Sequence, residues 1–466
     1  MLFFDEYSNE CIASNELCFY CFKYQIYMNY NYRYIQKYFI ISVLFLVLLY
    51  FFLILLFNII LPTADVIVIQ VISLFFFVNT FLLGIRLKIR DIFIVIFLFQ
   101  LILSISLFVS HSFEYNSDYF SYTAIATKGI NMNAGDFIKY IYANYPDLND
   151  VSDLGYPFVL RFVYQIAGNQ IYGDFLMCLL NVFLVLPTLY FVWKLSSGLF
   201  SKEEAKISVL FWGLNLYSVW TNASGMKETV FVLVSTGASY YLYKYLTVRS
   251  FKKLLWCILF IIGTFFFRNY ITIFFVIIFV SARFFRKTYE KHFVFILISS
   301  LIAIFGATSL LSYLVPDVVA ILAQRDSLLA NTGFSGNLFN VISAFIAPYP
   351  AIGGLNQNVN LLIIVFVAFK VFFSIWGIIG IIYIIKLKQT QAYPIVNILY
   401  FNILLTIIAG FSLNYRYMHV TMPLYFIFMV HGFYSMSREK SKYIIIPYFI
   451  LVTIFIVLYN LRSVSI

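Results

Sequence analysis

The sequence predicts an all-α polytopic membrane protein, with about thirteen transmembrane helices and a partly helical first extracytoplasmic loop. Three observations predict it. Of 466 residues, 63% are hydrophobic and only 11% charged, too few polar groups to coat a soluble core. Apolar runs exceed the roughly 18 residues that cross a bilayer, most clearly "FIISVLFLVLLYFFLILLFNIIL" at 39–61. The basic residues cluster in short connections between such runs. The net charge of +11 is therefore read as membrane topology, not as a nucleic-acid footprint.

In order, the spans read as 39–61, 66–85, 92–109, 172–193, 207–222, 228–246, 254–267, 270–283, 293–315, 359–385, 394–413, 418–435 and 443–461. Residues 1–38 read as an N-terminal cytoplasmic leader, and 39–466 as one transmembrane domain. The first 27 residues lack the basic start and small-residue cleavage site of a signal peptide, and Met28 is an alternative start. The stretch 254–283 is divided because Arg268 and Asn269 sit in its middle, where a charge is costly in hydrocarbon. Cys18 and Cys21 form a lone C-x-x-C, and the five cysteines make no disulfide framework.

Orientation follows from Lys and Arg. With a cytoplasmic N-terminus, only Lys128, Lys139, Arg161, Lys227, Arg268, Arg325, Lys370, Arg416 and Arg462 of the 31 basic residues fall away from the cytoplasmic side. Two long loops, 110–171 and 316–358, then face outward. So do Asp118, Lys227, Glu228, Arg268 and Arg416, each at or near a helix end. The working face is therefore extracytoplasmic. In the first loop, "DYFSYTAIATKG", "GDFIKYIYANYP" and "DLGYPFVLRFVYQIAGN" read as interfacial helices, with Pro157 suited to a first turn.

The charged positions carry the chemistry. Asp118 heads a helix-like stretch, where it reads as a general base for a hydroxyl nucleophile or as a plain N-cap. Glu114 is a second acid on that loop. In "SGMKETVF", Lys227 and Glu228 read either as a buried pair orienting a charged lipid head group or as a helix start with Lys227 snorkelling outward. Arg268 in "FFFRNYITIFF" and Arg416 in "SLNYRYMHVTMPLYF" suit phosphate, because guanidinium donates two parallel hydrogen bonds. Tyr415, Tyr417 and His419 flank Arg416. Lys370 lies within a span, where it pairs with an acid or faces a cavity. Arg325 and Gly336 satisfy R-x10-G, a pattern associated with O-antigen polymerases, of which about 0.5 matches arise by chance here. The four histidines make no metal-ligand spacing, and no Walker, dinucleotide or G-x-S-x-G motif occurs.

The order of blocks is itself informative. "SDYFSYTAIA" follows an early span. Then come "GYPFVLRFVYQIAGNQIYGDFLMCLLNVFLVLPTLYFVWKLSSGLFSKEEAKISVLFWGLNLYSVW", "SGMKETVF", "FFRNY" and "NYRYMHVTMPLYF". Over roughly 105–430 this resembles the GT-C superfamily of integral membrane glycosyltransferases, in its protein mannosyltransferase-like and aminoarabinose transferase-like branch. The resemblance implies a polyprenyl-phosphate-linked sugar donor and a glycan or lipid acceptor, with no nucleotide required and a divalent metal left open. It makes Asp118 the catalytic carboxylate, with Arg268, Arg416 and Lys227 handling the lipid phosphate. Tyr119 and Tyr122 of the first loop would stack on sugar rings. Where many members carry two adjacent acids, Ser117 precedes Asp118. The expected setting is a bacterial cytoplasmic membrane. The rival readings are a polysaccharide repeat-unit polymerase, in which Arg325 matters, and a transporter or flippase, which predicts internal repeats and mid-span Gly/Pro pairs.

Overall fold

A computed structural model describes residues 77–82, 84–109, 117–144, 155–314, 342–343, 345–346, 361–408, 415–436 and 438–462. All of them lie within one unit, Leu61–Ile466. Among them the fold is helical, with no strand. The helices are α1 (Ile89–Val109), α2 (Ser117–Lys128), α3 (Ala134–Asn144), α4 (Gly155–Ala167), α5 (Gln170–Leu199), α6 (Lys202–Gly213), α7 (Leu216–Ala223) and α8 (Glu228–Val248). They continue as α9 (Phe251–Phe265), α10 (Asn269–Phe284), α11 (Arg286–Leu314), α12 (Leu361–Lys386), α13 (Tyr393–Ile408), α14 (Tyr415–His419), α15 (Met422–Ser435) and α16 (Arg438–Arg462).

The buried residues of α1 include Ile92, Val95, Ile96, Phe99 and Leu103, a helical stripe facing α5 and α7. Its other face is apolar too: Ile94 stands exposed, as do Phe183 on α5, Ile302 on α11 and Ile454 on α16. Apolar residues on both faces belong to helices surrounded by lipid. Four stretches are long and apolar enough to cross a membrane: Ile89–Val109, Gln170–Leu199, Phe366–Lys386 and Thr390–Ile407. Ile271–Phe284 and Tyr443–Val457 are shorter apolar helices. The described residues thus give a membrane protein with fewer full-length spans than the thirteen expected. Span 39–61, most of 66–85 and most of the second long loop lie outside them.

Helix breaks account for part of the difference. The predicted span 207–222 divides into α6 and α7, because the side-chain carbonyl of Asn215 accepts from Tyr217 N at 2.9 Å and Ser218 N at 3.3 Å and starts a new helix. The Gly213 carbonyl freed by this break accepts from Gln100 Nε2 at 2.7 Å. Gln100 Oε1 in turn accepts from Asn222, whose Oδ1 accepts from Thr229. Span 254–283 divides at Arg268, as the sequence predicts, with Thr264 and Thr272 hydroxyls 2.8 Å apart across the break. The predicted span 418–435 separates α14 from α15 at Val420–Thr421, where Asn402 Nδ2 donates to Thr421 Oγ1 at 2.9 Å. Backbone released at membrane depth needs such partners, because hydrocarbon offers none.

Two further contacts position the site. The α12 and α15 backbones touch at Gly380 and Gly432, where a Cβ on either would overlap the opposing main chain. The three first-loop helices fold together around Ile125, Phe137 and Ile141. Arg161 donates from Nε to Gly129 O at 2.8 Å and from its other arm to Met132 O, tying the end of α2 to α4. Gly155, which opens α4, donates its N–H to Phe266 O at 3.1 Å, docking the first loop onto the α9–α10 break.

Candidate functional site

Glu228 is the first residue of α8, and Gly225 makes its approach possible by turning the chain at φ +61°. The Glu228 carboxylate is buried and forms an ion pair with Arg416 Nε from α14, itself buried. Lys227 does not snorkel outward as one sequence reading had it. It is 5% exposed, and its ammonium donates to the Tyr122 hydroxyl of α2 at 2.7 Å and lies 5.0 Å from that ring's centroid. Arg268 stands at the α9–α10 break in extended backbone, its N–H bound to Thr264 O at 2.9 Å. Its guanidinium carbon lies 4.2 Å from the Tyr417 ring centroid and 6.0 Å from that of Phe231. Glu228 lies within electrostatic reach of all three cations, Arg416, Lys227 and Arg268.

Four separate helix ends therefore converge: the starts of α8 and α10, the short α14, and α2 of the first loop. Tyr217 in α7 adjoins the same charges, Glu228, Arg416 and Arg268. His419 is fully buried, with its ring 4.8 Å from Tyr217 and 5.2 Å from Trp212. Tyr156 of α4 packs edge-on against Tyr122 at 5.5 Å. Burial first, and then the negative charges of Glu228 and Asp174, push the Tyr156 hydroxyl well above the usual tyrosine range, with Arg416 opposing. That hydroxyl and Glu228 Oε2 are both buried without a hydrogen-bond partner among the described residues. Native interiors rarely leave such groups unsatisfied, which makes the two atoms candidate contacts for a ligand or water.

A second network adjoins this one. Tyr164 donates to Asp174 Oδ1, and Tyr119 hydrogen-bonds with both. Asp174 lies in the second turn of the long helix α5, and its carboxylate links α2, α4 and α5 at one point. The sequence reading missed Asp174, Tyr156 and Tyr217. Asp174 had a signal, as the sole acid in the predicted span 172–193.

The predicted site residues fare unequally. Lys227, Glu228, Arg268, Arg416, Tyr122, Tyr417 and His419 come together, and Tyr119 lies one layer away. Asp118 falls in the first turn of α2, four residues before Tyr122 and so about one helical turn from it. Tyr415 opens α14. Glu114 and Arg325 lie outside the described residues. Tyr119 and Tyr122, expected to stack on sugar rings, are 4% and 5% exposed and hydrogen-bonded to protein groups. Lys370 belongs elsewhere, its ammonium 3.4 Å from both Ile346 O and Met418 Sδ and 5.6 Å from the Tyr425 ring centroid. Among the described residues no group of three His, Cys, Asp or Glu side chains has metal-binding geometry.

Three buried cations contact or face one carboxylate, Glu228. Two guanidinium groups with an ammonium present the donors that a phosphate takes. The chain matches no family model, no curated protein and no solved structure.

Proposed function

We propose that this protein is a membrane glycosyltransferase that moves a sugar from a polyprenyl-phosphate donor to an envelope glycan or lipid acceptor on the extracytoplasmic face. The observation that carries the reading is the buried cluster of Lys227, Arg268 and Arg416 around Glu228, which Tyr122, one helical turn after Asp118, joins through Lys227. The order of the GT-C-like sequence blocks supports it independently. In the reaction, the acceptor hydroxyl oxygen attacks the anomeric carbon and its proton passes to the Asp118 carboxylate. The bond from the anomeric carbon to the phosphate oxygen breaks, and that oxygen leaves with the electron pair as polyprenyl phosphate. Arg268 and Arg416 stabilise the charge developing there, with Lys227 behind them. Glu228 holds Arg416 in place.

The three helix breaks are a feature that transporters also use around a binding site. No internal repeat accompanies them in the sequence, which favours transfer over transport. The test uses purified wild type and Asp118→Asn, each mixed with lipid extract from the source membrane and followed by mass spectrometry. Polyprenyl-phosphate release by wild type alone, with one sugar added, supports the proposal. A ladder of repeat units assigns the site to a polymerase. Equal release by both proteins removes Asp118 from the chemistry, and no release by either favours transport.

A further inference from the structure

A second polar site lies at the other end of α8. The helix runs 21 residues from Glu228 to Val248, which separates its ends by roughly 30 Å. At the Val248 end a pocket of about 170 Å³ opens between α8, α10, the start of α11 and the turn before α13. Its polar walls include Arg249, Arg283, Arg286, Glu290, Thr390 and Gln391. Arg286 is paired internally with Glu290 at 2.8 Å. Arg249 and Arg283 form no ion pair among the described residues. Arg283 Nε donates only to the Tyr245 hydroxyl at 3.2 Å, which leaves the outer nitrogens of its fork for a ligand. Arg249 is pinned at the end of α8 in left-handed backbone (φ 55°), its N–H bound to Tyr245 O at 2.8 Å. The pocket therefore presents, among the described residues, two guanidinium groups from different elements without an acidic partner, with Thr247, Thr390 and Gln391 beside them.

The rim decides which anion fits. Val248, Phe251, Phe284 and Phe285 border these arginines in sequence and are 60%, 78%, 68% and 62% exposed. Four large apolar side chains bare to the surroundings at one level of a membrane protein mark the depth of the acyl chains. A basic pocket immediately beside that level has the form of a headgroup site.

We infer that this pocket binds the phosphate of an anionic phospholipid, with Arg249 and Arg283 on the phosphate oxygens and the acyl chains along Phe251, Phe284 and Phe285. It is distinct from the Glu228 cluster and does not depend on the glycosyltransferase reading.

The test follows the thermal midpoint of the full-length protein in a neutral detergent. Phosphatidylglycerol, phosphatidylcholine and inorganic phosphate are added separately to wild type, to Arg249→Gln/Arg283→Gln and to Lys202→Gln. The last variant removes one exposed positive charge outside the pocket. The expected result is a rise of roughly 5 °C with phosphatidylglycerol in wild type and Lys202→Gln, at most 1 °C with phosphatidylcholine, and loss of the rise in the double variant. If the double variant does not fold, Arg249→Gln alone serves, since its side chain is exposed; its midpoint rise should at least halve. An equal rise with inorganic phosphate would replace the lipid by a free anion. A phosphatidylglycerol rise that persists in the pocket variants would overturn the site.

Discussion

Removing one partner of the Glu228–Arg416 pair tests the centre of the candidate site most directly. Glu228 is 1% exposed and Arg416 7%, and their side chains meet across 188 residues of sequence. Arg416→Gln leaves a carboxylate in a site with little water. Breaking a buried pair in this way typically costs about 3–5 kcal/mol. Lys227 and Arg268 still face Glu228, so the lower end, about 3 kcal/mol, applies. Glu228→Gln removes the carboxylate that pairs with Arg416 and faces Lys227 and Arg268, and should cost at least as much, about 3–5 kcal/mol. The double variant no longer holds an unpaired carboxylate beside a missing guanidinium. It should be destabilised by no more than the worse single variant, a coupling of at least about 3 kcal/mol. The assay is thermal unfolding in detergent at one fixed scan rate, followed by tryptophan fluorescence. If the two single effects add to within about 0.5 kcal/mol in the double variant, Glu228 and Arg416 do not share a site and the cluster is not as described.

Other substitutions probe the elements that hold the site. Tyr122→Phe removes the hydroxyl that accepts from Lys227, a charge-assisted bond whose loss should cost about 1.5–3 kcal/mol of stability and lower transfer activity. Fluorescence unfolding and product analysis would read both effects. Asn215→Ala removes the side chain that starts α7, and should cost about 0.5–2 kcal/mol while loosening Tyr217 beside the cluster. Hydrogen exchange at the Tyr217 and Ser218 amides should rise, and unchanged exchange would deny the cap its role. Gly432→Ala places a methyl group against the Trp376 carbonyl and must push α15 from α12, lowering the thermal midpoint by several degrees. A midpoint equal to wild type would mean that the two backbones are further apart than described.

Much of the architecture was legible from local pattern alone. A helix is set by residues three and four apart, so the apolar stripe of α1, the first-loop helices α2 and α4 and the break at Arg268 follow from short stretches of sequence. So did the identity of the charged residues worth attention, because an ionisable group in an apolar run is costly and needs a reason wherever it sits. Lys227, Glu228, Arg268 and Arg416 all qualified on that ground.

Their partners were a matter for the tertiary structure. Lys227 meets Tyr122 across 105 residues, and Arg416 meets Glu228 across 188. No periodicity encodes such distances, since they depend on which helices pack together. The break between α6 and α7 escaped the sequence reading for the same reason. Asn215 can cap a new helix only where Gln100, 113 residues before Gly213, satisfies the carbonyl that the break releases. Lys227 looked free to reach water because its position at a helix start permits that. Packing of the first loop over α8 turned it inward, onto a tyrosine that had read as a platform for sugar. Composition and spacing determined that the chain lives in a membrane and which charges it keeps there. Packing alone decided that four of those charges meet at a single point, because electrostatic partnership depends on distance in space and not along the chain.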